Sequence, residues 1–456
     1  MDSPAGDPQK VHQKGQSPRW IAATAVENVL AKRVHADTVL DTLIGKHSLA
    51  EQDRSLTTEL TYGTLRWLKR LDWVFENLYK GNFRRIPGMV RRVAEVGLYQ
   101  ILFLDKIPNY AAVHEAVKAA KTAGGAYWGG VVNAVLRNVI RNPDCLKPPL
   151  LVEDPLLSIS IQWSHPEWLV RKWIRQFGVE RTVSLCAANN TVPAFSMRVN
   201  RMKTDAEHVL KELAKNDIAA STSSWHDDFL IVQKPMRSVR TDLFTKGWFT
   251  IQDESAGFVP KLLDPKPGDA ILDMTAAPGG KSTAIAELTG DQATVVSSDR
   301  HWPRVRQIVE NKNRLGLRNV YPVVANASLP ITIPMDKVLL DAPCSGIGIL
   351  RKHPEIRWKR SPEEITGLVS LQKRLLESAA RALKPGGILV YSTCTVLPEE
   401  NGEGIQKFIK SHPEFAIEDA RSFVNSRVVT EKGWIETWPD IHGMDGSFAV
   451  RMKKAR

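Results

Sequence analysis

The spacing of apolar positions changes along this chain, and the changes divide it. Up to about Cys145, apolar residues recur every three or four positions, the period of one helix face. Ser17-Pro18 places a hydroxyl cap and a proline at a helix start, and Trp20, Ile21, Ala25, Val26, Val29 and Leu30 predict a helix to about Arg33. Ser48-Leu49-Ala50-Glu51 has capping-box form, and Leu56, Leu60, Leu68, Leu71, Val74, Phe75 and Leu78 then face one way on one long or two consecutive helices. Further helices are expected after Pro87 and after Pro108. Gly124-Gly125 and Gly129-Gly130 bracket a break before a helix over residues 131–140.

Lys147-Pro148-Pro149 and Asp154-Pro155 have the composition of a linker. Beyond it, Ser164-His165-Pro166-Glu167 predicts a capped helix start, with Trp168, Leu169, Trp173, Ile174 and Phe177 on its apolar face and Gly178 at its end. A strand at residues 195–199, a helix at 204–215 and a strand at 229–232 make a small α+β module. From about Phe249, short apolar runs alternate with helical patterns. The runs at 270–274, 294–299, 320–324, 337–340 and 387–390 predict strands, and 304–315 and 363–383 predict helices. That alternation predicts an α/β, doubly wound parallel sheet, with 447–452 as a closing edge strand. The expected division is a mobile tail (1–17), an all-helical domain (18–145), an α+β module (146–245) and an α/β domain (246–456).

Composition narrows the class. The chain is 43% hydrophobic and 25% charged, no apolar run reaches membrane-spanning length, and the first residues lack the apolar core of a signal peptide. A cytoplasmic protein without membrane association is expected. The four cysteines, Cys145, Cys186, Cys344 and Cys394, lie far apart with no CxxC pairing, so neither a disulfide framework nor a metal site is expected. Cys186 falls in a helical pattern and reads as buried and structural. The net charge of +12 is greatest per residue in the amino-terminal third, which favours a polyanionic partner. There, Arg66, Lys69, Arg70, Arg84, Arg85, Arg91 and Arg92 make either an RNA-facing patch or an ordinary solvated face.

Candidate chemistry collects in the last third. Thr275, Ala276, Ala277, Pro278, Gly279, Gly280 and Lys281 link the first α/β strand to its helix, and residues this small let a ligand approach the backbone, with a helix amino terminus beyond for an anionic group. Asp299 ends the next strand, where a carboxylate can accept hydrogen bonds from ribose hydroxyls. A tight turn with a helix-capping aspartate is the plainer alternative. There is no G-x-G-x-x-G and no P-loop spacing, which argues against nicotinamide and nucleoside-triphosphate chemistry. Asp341-Ala342-Pro343-Cys344-Ser345-Gly346 and Tyr391-Ser392-Thr393-Cys394 each follow a buried strand, so an aspartate and two thiols can converge at the strands' carboxyl ends.

The ordered set Gln252-Asp253-Glu254-Ser255, AAPGGKS, DAPCSG and YSTC resembles the RNA cytosine-5 methyltransferases. The helical front, with Ala111-Ala112-Val113-His114-Glu115-Ala116-Val117 and Val132-Asn133-Ala134-Val135-Leu136-Arg137-Asn138, resembles a NusB-like RNA-binding domain, and the whole resembles the small-subunit rRNA group called RsmB or Sun/Fmu. The resemblance implies a class I (Rossmann-like) fold and S-adenosylmethionine as cofactor, contacted by Thr275 through Lys281, Asp299, Asn326 and Asp341. It implies methylation of carbon 5 of a cytosine in small-subunit (16S) rRNA, with Cys394 as nucleophile, Cys344 in product release, and Asp341 and Lys281 in support. DNA cytosine-5 methyltransferases instead use the cysteine of a Pro-Cys pair, here Pro343-Cys344, so the reverse assignment stays open.

Thr275 stands where many relatives have cysteine, and Asn326 where an aspartate is usual. His114 and Asn133 read as helix-packing residues. Arg351, Lys352, His353, Arg357, Lys359 and Arg360, with Trp358, either hold phosphates beside a flipped-out base or form a solvated basic loop. Two other functions fit the same sequence: tRNA as the substrate, or a non-catalytic RNA-binding assembly or antitermination factor.

Overall fold

The computed structural model describes residues 17–233, 235–329 and 333–456. The tail expected over residues 1–17 falls, except for Ser17, outside them. The chain forms two compact units, residues 17–190 with 353–359, and residues 191–352 with 360–456.

The first unit is all helical: α1 (Pro18–Lys32), α2 (Ala36–His47), α3 (Glu51–Leu78), α4 (Gly88–Phe103), α5 (Asn109–Gly124), α6 (Ala126–Arg141), α7 (Pro155–Gln162) and α8 (Glu167–Ala188). Ser17 accepts the Trp20 N–H at 3.2 Å with Pro18 at the first helical position, as the sequence predicts. Leu60, Leu71 and Phe75 of α3 meet Val90 and Val93 of α4, Val113 of α5 and Val132 and Leu136 of α6 in one core.

Two expected caps are not made. Helix α2, which buries only Ala36, Val39 and Leu40 and so has a weak apolar signature, ends at a left-handed Ser48 (φ 45°), and α3 begins behind Ala50. The Ser164 hydroxyl accepts the Lys69 N–H at 3.0 Å, and α8 begins behind Pro166. Gly178 breaks α8 (φ 78°), but the helix resumes to Ala188. Gly125 alone makes the glycine break, and α6 runs through Gly129 and Gly130.

Of the seven candidates Arg66, Lys69, Arg70, Arg84, Arg85, Arg91 and Arg92, only Arg84 and Arg85 are exposed. Lys69 pairs with Glu167, Arg91 with Asp72 and Glu95, and Arg92 with Glu27 and Glu95, while Arg70 donates to the Leu146 carbonyl. His114 is exposed rather than packed, whereas Asn133 is half-buried and accepts Arg137 Nε at 2.9 Å.

Segment 353–359 belongs to this helical unit, and its residues neither hold phosphates nor form a solvated loop. Arg357 is fully buried, donating to the Ser164 carbonyl and Asn190 Oδ1 at 2.9 Å each and to the Asn189 carbonyl at 3.3 Å. Trp358 Nε1 donates to the Leu65 carbonyl at 2.6 Å, and Lys359 Nζ donates to the Val34 carbonyl. Glu355 accepts the Ala36 N–H at 3.2 Å, at the start of α2, between His35 (3.4 Å) and His353 (3.7 Å). These two histidines pull the Glu355 carboxyl well below the usual range, against the upward push of burial. His35, His353 and Glu355 form the one grouping of metal-ligating type among the described residues, and its carboxylate already caps the positive end of a helix dipole.

The second unit holds two sheets. The smaller has order β2-β3-β1-β4, all antiparallel, from β1 (Phe195–Val199), β2 (Ala220–Thr222), β3 (Phe229–Val232) and β4 (Phe249–Ile251). Helix α9 (Ala206–Lys215), capped by Asp205 rather than Thr204, contributes Val209 and Leu213 to its core.

The larger sheet follows α10 (Glu254–Leu263) and is built from β5 (Ala270–Asp273), α11 (Gly280–Leu288), β6 (Thr294–Asp299), α12 (Trp302–Leu315), β7 (Val320–Val324), β8 (Met335–Asp341), α13 (Pro362–Ala382), β9 (Leu383–Thr393), α14 (Gly402–Ser411), β10 (Phe415–Glu418), β11 (Ile435–Thr437) and β12 (Ser447–Lys454). Its order is β10-β12-β9-β8-β5-β6-β7, with β11 on β12. Strands β9 to β7 run parallel, as expected of a doubly wound sheet. The expected edge strand β12 instead lies antiparallel between β9 and β10. Alternate strand residues feed opposite faces: Ile271, Val295, Leu339 and Val390 one core, Leu272, Val338, Leu340 and Leu389 the other. The strand order reverses between β5 and β8, and a ligand crevice belongs at the carboxyl ends of such a pair. No described helix is long and apolar enough to cross a membrane.

Candidate active site

Parallel pairing puts Asp273 of β5 beside Leu339 of β8, and Asp341 of β8 beside Ser392 of β9. The loops that follow these three strands therefore leave the same end of the sheet. Cys344 and Cys394 arrive there with their sulfurs 3.2 Å apart, both half-buried.

Asp341 joins the three loops. One carboxylate oxygen accepts Lys281 Nζ at 2.5 Å, the other accepts Ser392 Oγ at 2.7 Å, and its carbonyl accepts Thr275 Oγ1 at 2.8 Å. Thr275 thus contributes a hydroxyl as well as a turn. Burial alone would depress the Lys281 ammonium, but the Asp341 carboxylate holds its pKa above the ordinary lysine value, so Lys281 stays a cation. The Cys344 thiol is pushed well above the usual cysteine value by its hydrogen bond to Cys394, by burial, and by the charges of Cys394 and Glu400.

Asp273 lies beneath this cluster. It is fully buried, with one oxygen accepting Ser282 Oγ at 2.6 Å and the other unpartnered, and burial pushes its pKa up to about 7. A carboxyl raised in the folded state from about 3.9 unfolded binds its proton more tightly when folded, so its stabilising contribution is lost as pH rises from about 4 through about 7. Asp273→Asn is expected to melt higher than the parent at pH 8 and to show a flatter melting temperature between pH 5 and 7. Equal slopes for the two proteins over that window would exclude a raised Asp273.

The loop from Thr275 to Lys281 has its carbonyls engaged from outside. Arg304 donates to Ala277 and Asn311 to Pro278, both at 3.0 Å, and Arg198 donates to Gly280 at 2.9 Å. Gly279 adopts φ 101°, and a Cβ there would meet Ile308 at 3.2 Å. Helix α11 starts at Gly280 with no side-chain cap, leaving N–H donors suited to a carboxylate. Asp299, at the end of β6, accepts the His301 N–H at 3.1 Å with one oxygen, and its other oxygen lies 3.5 Å from Arg304. Ala325 N–H donates to the Asp299 carbonyl at 3.1 Å, which brings Asn326 close, although the Asn326 side chain accepts the Ser328 N–H at 3.1 Å within its own turn. The donor set fits a ligand with an amino-acid end and a ribose.

Other sequence-singled residues serve the framework. Gln252 accepts Arg198, and Asp253 caps α10 at Ser255 N–H (2.9 Å). Lys352 bridges Asp253 and Asp445, Arg351 donates to the Gly443 carbonyl at 2.9 Å, and Arg360 Nε donates to the Ser345 carbonyl at 2.8 Å, so these three are not free for phosphates. Cys186 is buried, and its thiol is pushed far up by burial. Arg198, Ser392, Gln372, Glu400 and Asn401 were not anticipated. The run Pro398-Glu399-Glu400-Asn401, carboxylates close behind a strand-end cysteine, was the available signal.

A family model described as 16S rRNA methyltransferase RsmB/F matches residues 260–453, a NusB family model residues 16–141, and a RsmF/B-like ferredoxin-like domain model residues 165–239. The chain is 34% identical to the probable ribosomal RNA small subunit methyltransferase B of Synechocystis sp., over 96% of this chain and 100% of that protein. It is also 34% identical to the protein of that name from Bacillus subtilis, over 97% of this chain and 99% of that one. The crystal structure of PH0851 superposes with a TM-score of 0.79 at 26% identity, covering 96% of this chain and 99% of that chain.

Proposed function

The chain belongs to the ribosomal RNA small subunit methyltransferase B family and is an rRNA methyltransferase, and from that premise we propose that it methylates carbon 5 of one cytosine in small-subunit rRNA through a covalent Cys394 adduct. The observation that carries the reading is the pair of thiols 3.2 Å apart beside the Lys281–Asp341 ion pair. S-adenosylmethionine supplies the methyl group, and Thr275 through Lys281, Asp299, Asn326 and Asp341 are the residues that would hold it.

Carbon 5 of cytosine is a poor nucleophile in an aromatic ring. Addition of the Cys394 thiolate at carbon 6 converts the ring to an enamine nucleophilic at carbon 5. In this reading N3 takes up a proton from water as carbon 6 is attacked, the Asp341 carboxylate, fixed by Lys281 and Ser392, accepts the N3–H hydrogen bond, and the Lys281 ammonium offsets charge that develops in the ring. After transfer, water takes the carbon 5 proton, the electrons of the C5–H bond re-form the C5–C6 double bond, the sulfur–carbon 6 bond breaks so that Cys394 departs as thiolate, and N3 gives its proton back to water. Cys344, protonated and in contact with Cys394, assists that departure. The base is unstacked to reach these groups. The helical residues 18–145 and the α+β module 146–245 serve as RNA-binding parts in this reading.

The test uses isotope-labelled cofactor with small-subunit rRNA and tRNA transcripts, followed by nucleoside digestion and chromatography. Label in 5-methylcytidine from rRNA alone is the expected result. Label in tRNA would move the substrate, label on another nucleoside would overturn the carbon 5 assignment, and no label from a folded, cofactor-binding protein would favour an RNA-binding factor.

A further inference from the structure

The two sulfurs sit on loops from different strands, and their closeness requires a device that holds both loops at once. The residues following the two cysteines touch directly, Ser345 Oγ lying 2.8 Å from Thr395 Oγ1. Behind them lies Glu400, 1% exposed, in the short turn before α14. One of its carboxylate oxygens accepts the Ser345 N–H at 2.8 Å and Gln372 Nε2 at 3.0 Å, and the other accepts Ser345 Oγ. Gln372, from α13, also donates to the Pro343 carbonyl at 2.9 Å. The Cys344 loop is thus held on both sides of its cysteine.

The next residue holds the other loop. Asn401, buried, accepts Thr393 Oγ1 at 2.6 Å and donates through Nδ2 to the Thr395 carbonyl at 2.9 Å, gripping the residues on either side of Cys394. Tyr391 Oη donates to the Glu400 carbonyl at 2.7 Å, tying the dipeptide itself to β9. Glu400 reaches one cysteine loop and Asn401 the other, and the backbone between them is a single peptide unit. None of these bonds is available to substrate or cofactor, because their atoms are consumed within the protein.

We infer that Glu400 and Asn401 are positioning residues that set the distance between the Cys344 and Cys394 sulfurs, and so the transfer of Cys394 from adduct back to free thiol. The inference rests on the adduct reading above for its catalytic part, but the spacing itself is measurable without any reaction. Displacement of a reacting group by about 1 Å costs on the order of 100-fold in rate, which sets the expected catalytic effect.

The experiment treats the full-length protein with diamide, in the absence of RNA and cofactor, and follows formation of the Cys344–Cys394 disulfide by peptide mass spectrometry. Diamide takes up two electrons and two protons as the two thiols join. Because a disulfide tolerates little misalignment, Glu400→Ala and Asn401→Ala are each expected to close the bond about tenfold more slowly than the parent. Glu400→Gln, which keeps the acceptor for Ser345 N–H and Gln372, is expected to recover most of the rate. In methyl-transfer assays, kcat falls and adduct accumulates in Glu400→Ala while the KM for cofactor holds. A purely structural role would instead lower the melting temperature without slowing closure in the folded protein. Closure at the parent rate in both alanine variants overturns the inference. If Glu400→Ala does not fold, Asn401→Ala and Glu400→Gln carry the comparison. Slow closure in the variants together with no methyl transfer by the parent would uphold the clamp and sink the adduct reading alone.

Discussion

Cys394→Ala is expected to lower methyl transfer to small-subunit rRNA by ~10⁴-fold or more and to abolish any RNA adduct resistant to denaturing gels. Lys281 is held as a cation by Asp341 and so cannot substitute as the attacking group. Cys344→Ala is expected to behave differently, forming adduct but releasing it slowly, so that a shifted protein–RNA band accumulates. The two sulfurs are in contact, so geometry alone does not decide which attacks. The assignment of Cys394 follows from the resemblance of Tyr391-Ser392-Thr393-Cys394 to the RNA cytosine-5 methyltransferases, and the attacking species is its thiolate. Adduct in Cys394→Ala and none in Cys344→Ala would reverse the assignment.

Arg357→Ala is expected to destabilise the helical unit by about 3 kcal/mol and to lower its melting temperature by roughly 5 to 10 °C. Burial, aided by the charge of Arg66, pulls the guanidinium down to about 9, so its interior position carries a desolvation cost. That cost is offset by charge-assisted bonds to the Ser164 and Asn189 carbonyls and Asn190 Oδ1, with a longer one to the Arg66 carbonyl at 3.4 Å. Truncation leaves those acceptors unsatisfied and opens a cavity. Arg357→Met fills the space without supplying donors, and is expected to fall between parent and alanine variant. Scanning calorimetry of the three proteins gives the ranking, and an alanine variant as stable as the parent would show that the bonds do not outweigh the desolvation.

The cysteine-bearing end of the parallel sheet was legible in the sequence because its signals are local. Short apolar runs ending in Asp273, Asp299, Asp341 and Ser392-Thr393-Cys394 mark buried strands and their carboxyl ends, and the small residues from Thr275 to Gly280 mark a tight loop between strand and helix. The helical front was likewise visible through its repeating apolar face. Helix boundaries were less so, because Ser48 and Ser164 have the chemistry of caps while the tertiary setting gives them other work: a left-handed turn for one, the Lys69 N–H for the other.

Basic residues were the least legible. Charge in a sequence does not state its depth, and Arg357, Lys359, Arg351 and Lys352 are occupied by carbonyls and carboxylates contributed by distant parts of the chain. The same limit hid Glu400, whose meaning depends on Ser345 lying 55 residues away along the chain. The sequence by itself determined the five strands of the parallel sheet, the small-residue loop after the first of them and the presence of two strand-end thiols, since local periodicity and side-chain chemistry suffice for each. Only the tertiary structure decided the strand order, the place of β12 inside the sheet, the burial of the basic segment and the 3.2 Å between the sulfurs, because each depends on pairings between residues far apart in the chain.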